Sequence, residues 1–137
     1  MNDISNAIAI AAAGMRAQTS RMRIISENVA NASSSAQTPD DTPYRRKVPV
    51  FQSQLDRETG TQLVRMNKTK YDSSDFRTEY QPGHPGADAN GYVKYPNVNT
   101  MIEMMDMREA SRSFEANLSV IENSRAMMRK TLDLLSR

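Results

Sequence analysis

A chain of 137 residues that is 38% hydrophobic and 6% aromatic, with no Trp, is one modest domain with little material for a globular core, so it is expected to be elongated or incomplete alone. Lys+Arg 18 against Asp+Glu 16 gives a formal charge of +2, too balanced for a polyanion footprint unless basic residues cluster. The absence of Cys excludes a disulfide framework, a thiolate metal site and a Cys nucleophile, and the apolar runs fall far short of the roughly 20 residues that span a bilayer, so no membrane insertion is expected.

The first predicted element is a helix from about Asp3 or Ser5 to about Ala32, roughly 40 Å long, closed by the Ser/Thr/Pro/Asp-rich "ASSSAQTPDDTP". Its apolar stretch "AIAIAAAG" (Ala7 to Gly14) lacks the basic flank of a secretory signal, since Asp3 is the only charged side chain before it. Seven-residue spacing also continues well past Gly14, so the N-terminus is expected to be retained. One row is Ile8, Met15, Met22 and Val29; the other is Ile4, Ala11, Gln18, Ile25 and Ala32.

Three short strand-like runs follow: "KVPVFQSQL", then "TQLVRMNKTKY" after a turn at Thr59 and Gly60, then "FRTEY" after "DSSD". Pro49, which has no N–H, places the first at a sheet edge. The stretch "QPGHPGADANGYVKYPNVN" is dense in Gly, Pro, Asn and Asp and reads as a shaped connector with an Asn90-Gly91 turn.

A second helix is predicted from near Asn97 to Thr100 through about Ser136, roughly 55 to 60 Å. Asn97 or Asn99 supplies a cap, and Thr100 with Glu103 has the T-x-x-E capping pattern. Its seam rows are Met107, Phe114, Ile121, Met128, Leu135 and Met104, Ser111, Leu118, Arg125, Leu132. Six of the ten Met lie in this helix, several off the seam, where an adaptable side chain suits contact with non-identical neighbours. The expected class is mainly α: two long terminal helices forming an antiparallel coiled-coil pair, with a small irregular, β-containing middle. The divisions are 1–32, 33–96 and 97–137. Polar and small seam residues predict a pair that is marginal by itself.

Catalytic patterns lack their parts. His84 is the only His, so a triad, a two-His zinc motif or a His proton shuttle has no second member, and Pro and Gly on both sides suit an imidazole that locks a turn. "DANG" (Asp88 to Gly91) lacks the later acidic ligand of a calcium loop, and there is no glycine-rich phosphate cradle. The acidic residues of the second helix, Glu103 and Asp106 among them, read as a solvated, salt-paired face, and "YRRK" (Tyr44 to Lys47) as solvated surface. No enzyme, cofactor, metal or nucleic-acid partner is expected.

The N-terminal "SRMRIISENVANASS" resembles the start shared by bacterial flagellar axial proteins, and "EASRSFEANLSVIENSRAMMRKTLDLL" resembles their C-terminal partner, centred on "FEAN". Within that superfamily "YQPGHPGADANGYVKYPNVN" is similar to the proximal rod type of the flagella basal body rod protein family. The chain departs from the family pattern at "ASSSAQTPDDTPYRRK", which is longer and lacks a Gly. The resemblance implies an axial, D0-like domain whose helix pair packs with neighbours into a hollow, torque-bearing rod in the periplasm around an export channel. It also implies a type III secretion substrate, exported without cleavage, that self-assembles and serves motility. Partners would be rod subunits of the same and different type, the protein joining rod to membrane ring, and the export apparatus. The residues carried over are the seam positions and the motif turn His84, Pro85, Asp88, Gly91 and Tyr92. Two other readings stay open: another rod or hook member, and a helical adaptor or secretion chaperone.

Overall fold

The computed structural model describes the backbone of residues 2–135 and the side chains of 3–135. The expected end of the second helix at Ser136 lies outside the described residues. In chain order the elements are α1 (Asn2–Ala30), β1 (Lys47–Leu55), β2 (Gln62–Tyr71), β3 (Arg77–Tyr80), β4 (Tyr92–Tyr95) and α2 (Thr100–Leu135). Just under half the chain is helical.

Helix α1 stops two residues short of the expected Ala32. There the Asn31 side chain donates to the Glu27 carbonyl at 2.8 Å, satisfying an end carbonyl that would otherwise need water. Strands β1 and β2 pair as a two-stranded ribbon, which leaves Pro49 a free edge. The connecting loop closes through Asp56 N–H to Thr61 O and Gly60 N–H to Asp56 O, both 2.8 Å, and Gly60 takes the left-handed φ of 66° that this turn requires. Strands β3 and β4 are antiparallel, with Arg77 opposite Tyr95 and Tyr80 opposite Tyr92. β4 lies inside the stretch read from sequence as connector, and is the one strand the pattern hid.

The cap of α2 is Asn99, whose Oδ1 accepts from the N–H groups of Met101 at 3.0 Å and Ile102 at 3.4 Å. The expected Thr100–Glu103 capping box does not form, because the Glu103 carboxylate is committed to Arg46 and Asn28.

By compactness the chain divides into two units, each drawing on both helices and the middle. The first is Met1–Met22, Val50–Lys68 and Arg108–Arg137; the second is Arg23–Pro49 and Thr69–Met107. In the first, buried positions are mostly small: Ala11, Ala13, Ala17, Ala110 and Ser124, joined by Leu63 and Ile121. Its helix segments run antiparallel, since Gly14 lies against Asn117 and Arg21 pairs with Glu109 at 3.6 Å. A Cβ on Gly14 would come within 2.9 Å of the Asn117 side-chain amide, so that side chain packs directly on the glycine. In the second unit Ile24, Ile25, Val93 and Val98 form the apolar core beside two fully buried polar groups, Asn28 and Glu103, each 1% exposed.

Candidate functional site

The second unit is organised by a polar network where sequence suggested a solvated face. Asn28 uses its whole hydrogen-bonding capacity: Nδ2 donates to Lys47 O at 2.8 Å and to Glu103 Oε2 at 3.0 Å, while Oδ1 accepts from Tyr44 Oη–H at 2.8 Å and Lys47 N–H at 3.0 Å. The other Glu103 oxygen accepts from Arg46 Nε at 2.5 Å. The same guanidinium lies 3.5 Å from Asp72 and 3.7 Å from Asp106. A buried carboxylate is tolerated only with a cation and hydrogen bonds, and both are supplied here.

"YRRK" is therefore a docking strap. Tyr44 reaches Asn28, and Arg45 lies 4.3 Å from the Phe76 ring centroid while donating to the carbonyls of Asp72 and Ser74. Arg46 neutralises Glu103, and Lys47 pairs with Glu27. Asn97, expected as a possible cap, instead ties three loops: Oδ1 accepts from Arg46 N–H at 2.8 Å, and Nδ2 faces the Asp72 carbonyl and Ser74.

These contacts set the local acidities. Burial, followed by the charges of Glu27 and Glu103, pushes the Tyr44 phenol up to about 12. Burial works against the charge of Arg46, but the hydrogen bond and charge of Glu103, with Asp72 and Asp106, hold it above its ordinary value. The backbone and hydroxyl of Ser74, with Arg46 beyond them, hold Asp72 below the usual carboxylate range.

The motif turn belongs to the same unit. His84 Nδ1 accepts from Gly86 N–H at 3.0 Å and Nε2 lies 3.2 Å from Ser35 Oγ, so the neutral ring with its proton on Nε2 satisfies both contacts. Pro85 is exposed beside Gly86, which is buried. A Cβ on Gly86 would fall 2.0 Å from the Ala36 carbonyl oxygen. Ala36 N–H in turn donates to Lys94 O at 3.2 Å, so residues 35 and 36 of the first loop are held on this turn. Asp88 Oδ1 accepts from the N–H groups of Asn90 and Tyr92, both 2.9 Å, and Gly91 takes φ 84° beneath the Tyr80 ring. Tyr92 meets Tyr80 edge to face at 5.4 Å, and both rings are exposed.

On α1, Ala11 and Ile25 are buried, and Ile4, Ile8, Met15, Met22 and Val29 are half-buried. On α2, Ile121 is buried, and Met107, Phe114 and Met128 are half-buried. In the first unit Met15, Phe114 and Ile121 border an open, mainly apolar groove of about 600 Å³, with Ala12 and Thr19 beside them. The second expected row of α2 is corrected: Met104, Leu118 and Leu132 are 57%, 39% and 52% exposed, and Leu135, at the end of the first row, is 77% exposed. The inward row is one position earlier, with Glu103, Ala110 and Ser124 buried and Asn117 against Gly14. Small side chains permit the approach that Gly14 demands, and a Met/Leu row would force the helices apart. The seven-residue spacing of Gly14, Arg21 and Asn28 was the available signal.

Among the described residues no group of three or more His, Cys, Asp or Glu could hold a metal ion, and no helix is long and apolar enough to cross a membrane. What the arrangement does chemically is hold backbone segments in register.

Residues 89–134 match the family described as the flagellar basal body rod FlgEFG protein C-terminal. The chain is 51% identical over 135 residues to the flagellar basal-body rod protein FlgC of Agrobacterium fabrum, covering 98% of this chain and 97% of that protein. It is 40% identical to the proteins of the same name from Borreliella burgdorferi, over 95% of this chain and 96% of the relative, and Salmonella typhimurium, over 94% and 96%.

Proposed function

The chain belongs to the FlgC family of flagellar basal-body rod proteins and is a structural rod subunit rather than an enzyme; on that premise we propose that it polymerises through its terminal helices into the hollow proximal shaft that transmits torque and encloses an export channel. The two helices act as an antiparallel coiled-coil pair completed by neighbours of the same and different type. The observation that carries this is the division of side chains in the first unit. Apart from Ile121, the seam of this unit is built from Ala, Gly, Ser and Asn, while Leu118, Val120, Met127, Leu132, Leu134 and Leu135 stay exposed. A helix that buries mostly small residues and exposes most of its large apolar ones suits a larger assembly. Such a surface fits a filament of open, head-to-tail contacts.

In this reading the chain is a type III export substrate that keeps its N-terminus, passes to the periplasmic rod, and meets the protein joining rod to membrane ring. It uses neither nucleic acid nor membrane insertion. Removing residues from Ile121 onward deletes much of the exposed apolar surface. Cells making the shortened chain are expected to synthesise it but to lack rods and motility, as scored by swimming and by images of isolated basal bodies. Normal swimming would end the proposal.

A further inference from the structure

Helix α2 carries a second seven-residue pattern, turned away from the seam, in which charge and apolarity are both periodic. Arg108, Glu115, Glu122 and Arg129 are seven apart, all exposed, and none makes an ion pair among the described residues. The adjoining row, three residues further on, alternates polar and apolar: Ser111, Leu118, Arg125 and Leu132. Two such rows, alternately three and four residues apart, make a contact stripe on a helix.

The order of signs restricts what this stripe can accept. Against an identical stripe in parallel and in register, every charge meets its like. Displaced by seven residues, Arg108 meets Glu115 and Glu122 meets Arg129, but Glu115 meets Glu122 and Leu118 meets Arg125. Displaced by 14 residues, Arg108 meets Glu122, Glu115 meets Arg129, Leu118 meets Leu132, and Ser111 meets Arg125. Antiparallel packing sets each row against the other instead, and every such alignment that overlaps by more than one layer puts a charged side chain opposite Leu118 or Leu132. Parallel helices present same-row positions to each other, so a displacement by whole heptads keeps the geometry.

We infer that this stripe docks against the same stripe of a second copy of the chain, parallel and displaced by two heptads, about 21 Å along the helix. The inference rests on the rod-subunit reading and names one contact within it. The contact is heterologous: each copy offers its earlier half to one neighbour and its later half to another, so it propagates rather than closing as a dimer. Electrostatic matching of this kind fixes register and rejects wrong partners.

The chain has no Cys, so introduced thiols report without background. In basal bodies from cells carrying Leu118→Cys and Leu132→Cys together, oxidation is expected to give a ladder of multimers of this chain. Leu118→Cys alone is expected to stay monomeric, because in-register neighbours would be needed to join it to itself. Self-linking of the single variant, or monomers only from the double variant while the chain is present in the basal bodies, overturns the inference and leaves the rod role standing. Absence of the unaltered chain from basal bodies removes the rod role itself, and with it the inference. As an independent measure, Glu122→Arg is expected to lower incorporation by about an order of magnitude and Arg108→Glu in the same chain to restore it. Failure to restore counts against the pairing.

Discussion

The two units use opposite means of holding a helix pair. The second unit closes around a buried, fully satisfied polar network, in which Asn28 makes four hydrogen bonds and Glu103 is neutralised by Arg46. The first relies on small residues packed with Leu63 and Ile121, and leaves most of its large apolar side chains outside. Specific polar contacts fix a single arrangement even where little area is buried, at the cost that losing one member strands the others. Small-residue contacts bury little apolar area and so contribute little stability. The contrast predicts a molecule that is sensitive to mutation in one unit and dependent on partners in the other.

The largest loss is expected from Arg46→Ala, which strands the Glu103 carboxylate in the core and costs about 3–5 kcal/mol in urea unfolding. A loss below about 1 kcal/mol would mean the network is not what holds the second unit. Next come two matched glycine changes. Gly86→Ala puts a Cβ 2.0 Å from a backbone oxygen that cannot yield, and is expected to destabilise by about 2–3 kcal/mol. Gly14→Ala meets the end of the Asn117 side chain at 2.9 Å, which can turn away, and Ala gains about 1 kcal/mol in helix preference, so the net change is expected to be under about 1 kcal/mol. Equal effects of the two would erase the distinction between the units.

The smallest effect concerns Tyr44. Its phenol is raised in the folded chain to about 12, so the stability it contributes is complete below pH 10 and is lost as pH rises from there through about 12. Tyr44→Phe is expected to cost about 1 kcal/mol at neutral pH, because the Asn28 oxygen keeps the Lys47 N–H, and to flatten the alkaline decline. An unchanged alkaline profile would assign that decline to other groups.

The sequence announced the strands as runs marked off by Gly, Asp and Ser, so β1, β2 and β3 were readable almost to the residue. It hid β4, because four residues of strand, Tyr92 to Tyr95, sit among Asn, Gly and Pro. The second row of α2 was misread for a physical reason. Hydrophobicity marks what is buried somewhere, and in an assembling protein that somewhere can be another molecule, so Leu118 and Leu132 looked more like a seam than Asn117 and Ser124. The polar network was illegible for the converse reason. Glu103 and Arg46 are 57 residues apart and Asn28 and Glu103 are 75 apart, and nothing local in either segment names its partner. The turn at His84 was local, and its residue types alone suggested the imidazole's task.

Those separations carry a kinetic consequence. A polypeptide delivered from one end, in either direction, presents Asn28 and Arg46 without Glu103, or Glu103 without them, until more than half its length has emerged. Loop closure over such distances is slow compared with helix growth. The second unit is thus a late-closing clasp, which cannot shut until the segments around Asn28, Arg46 and Glu103 are all free to meet.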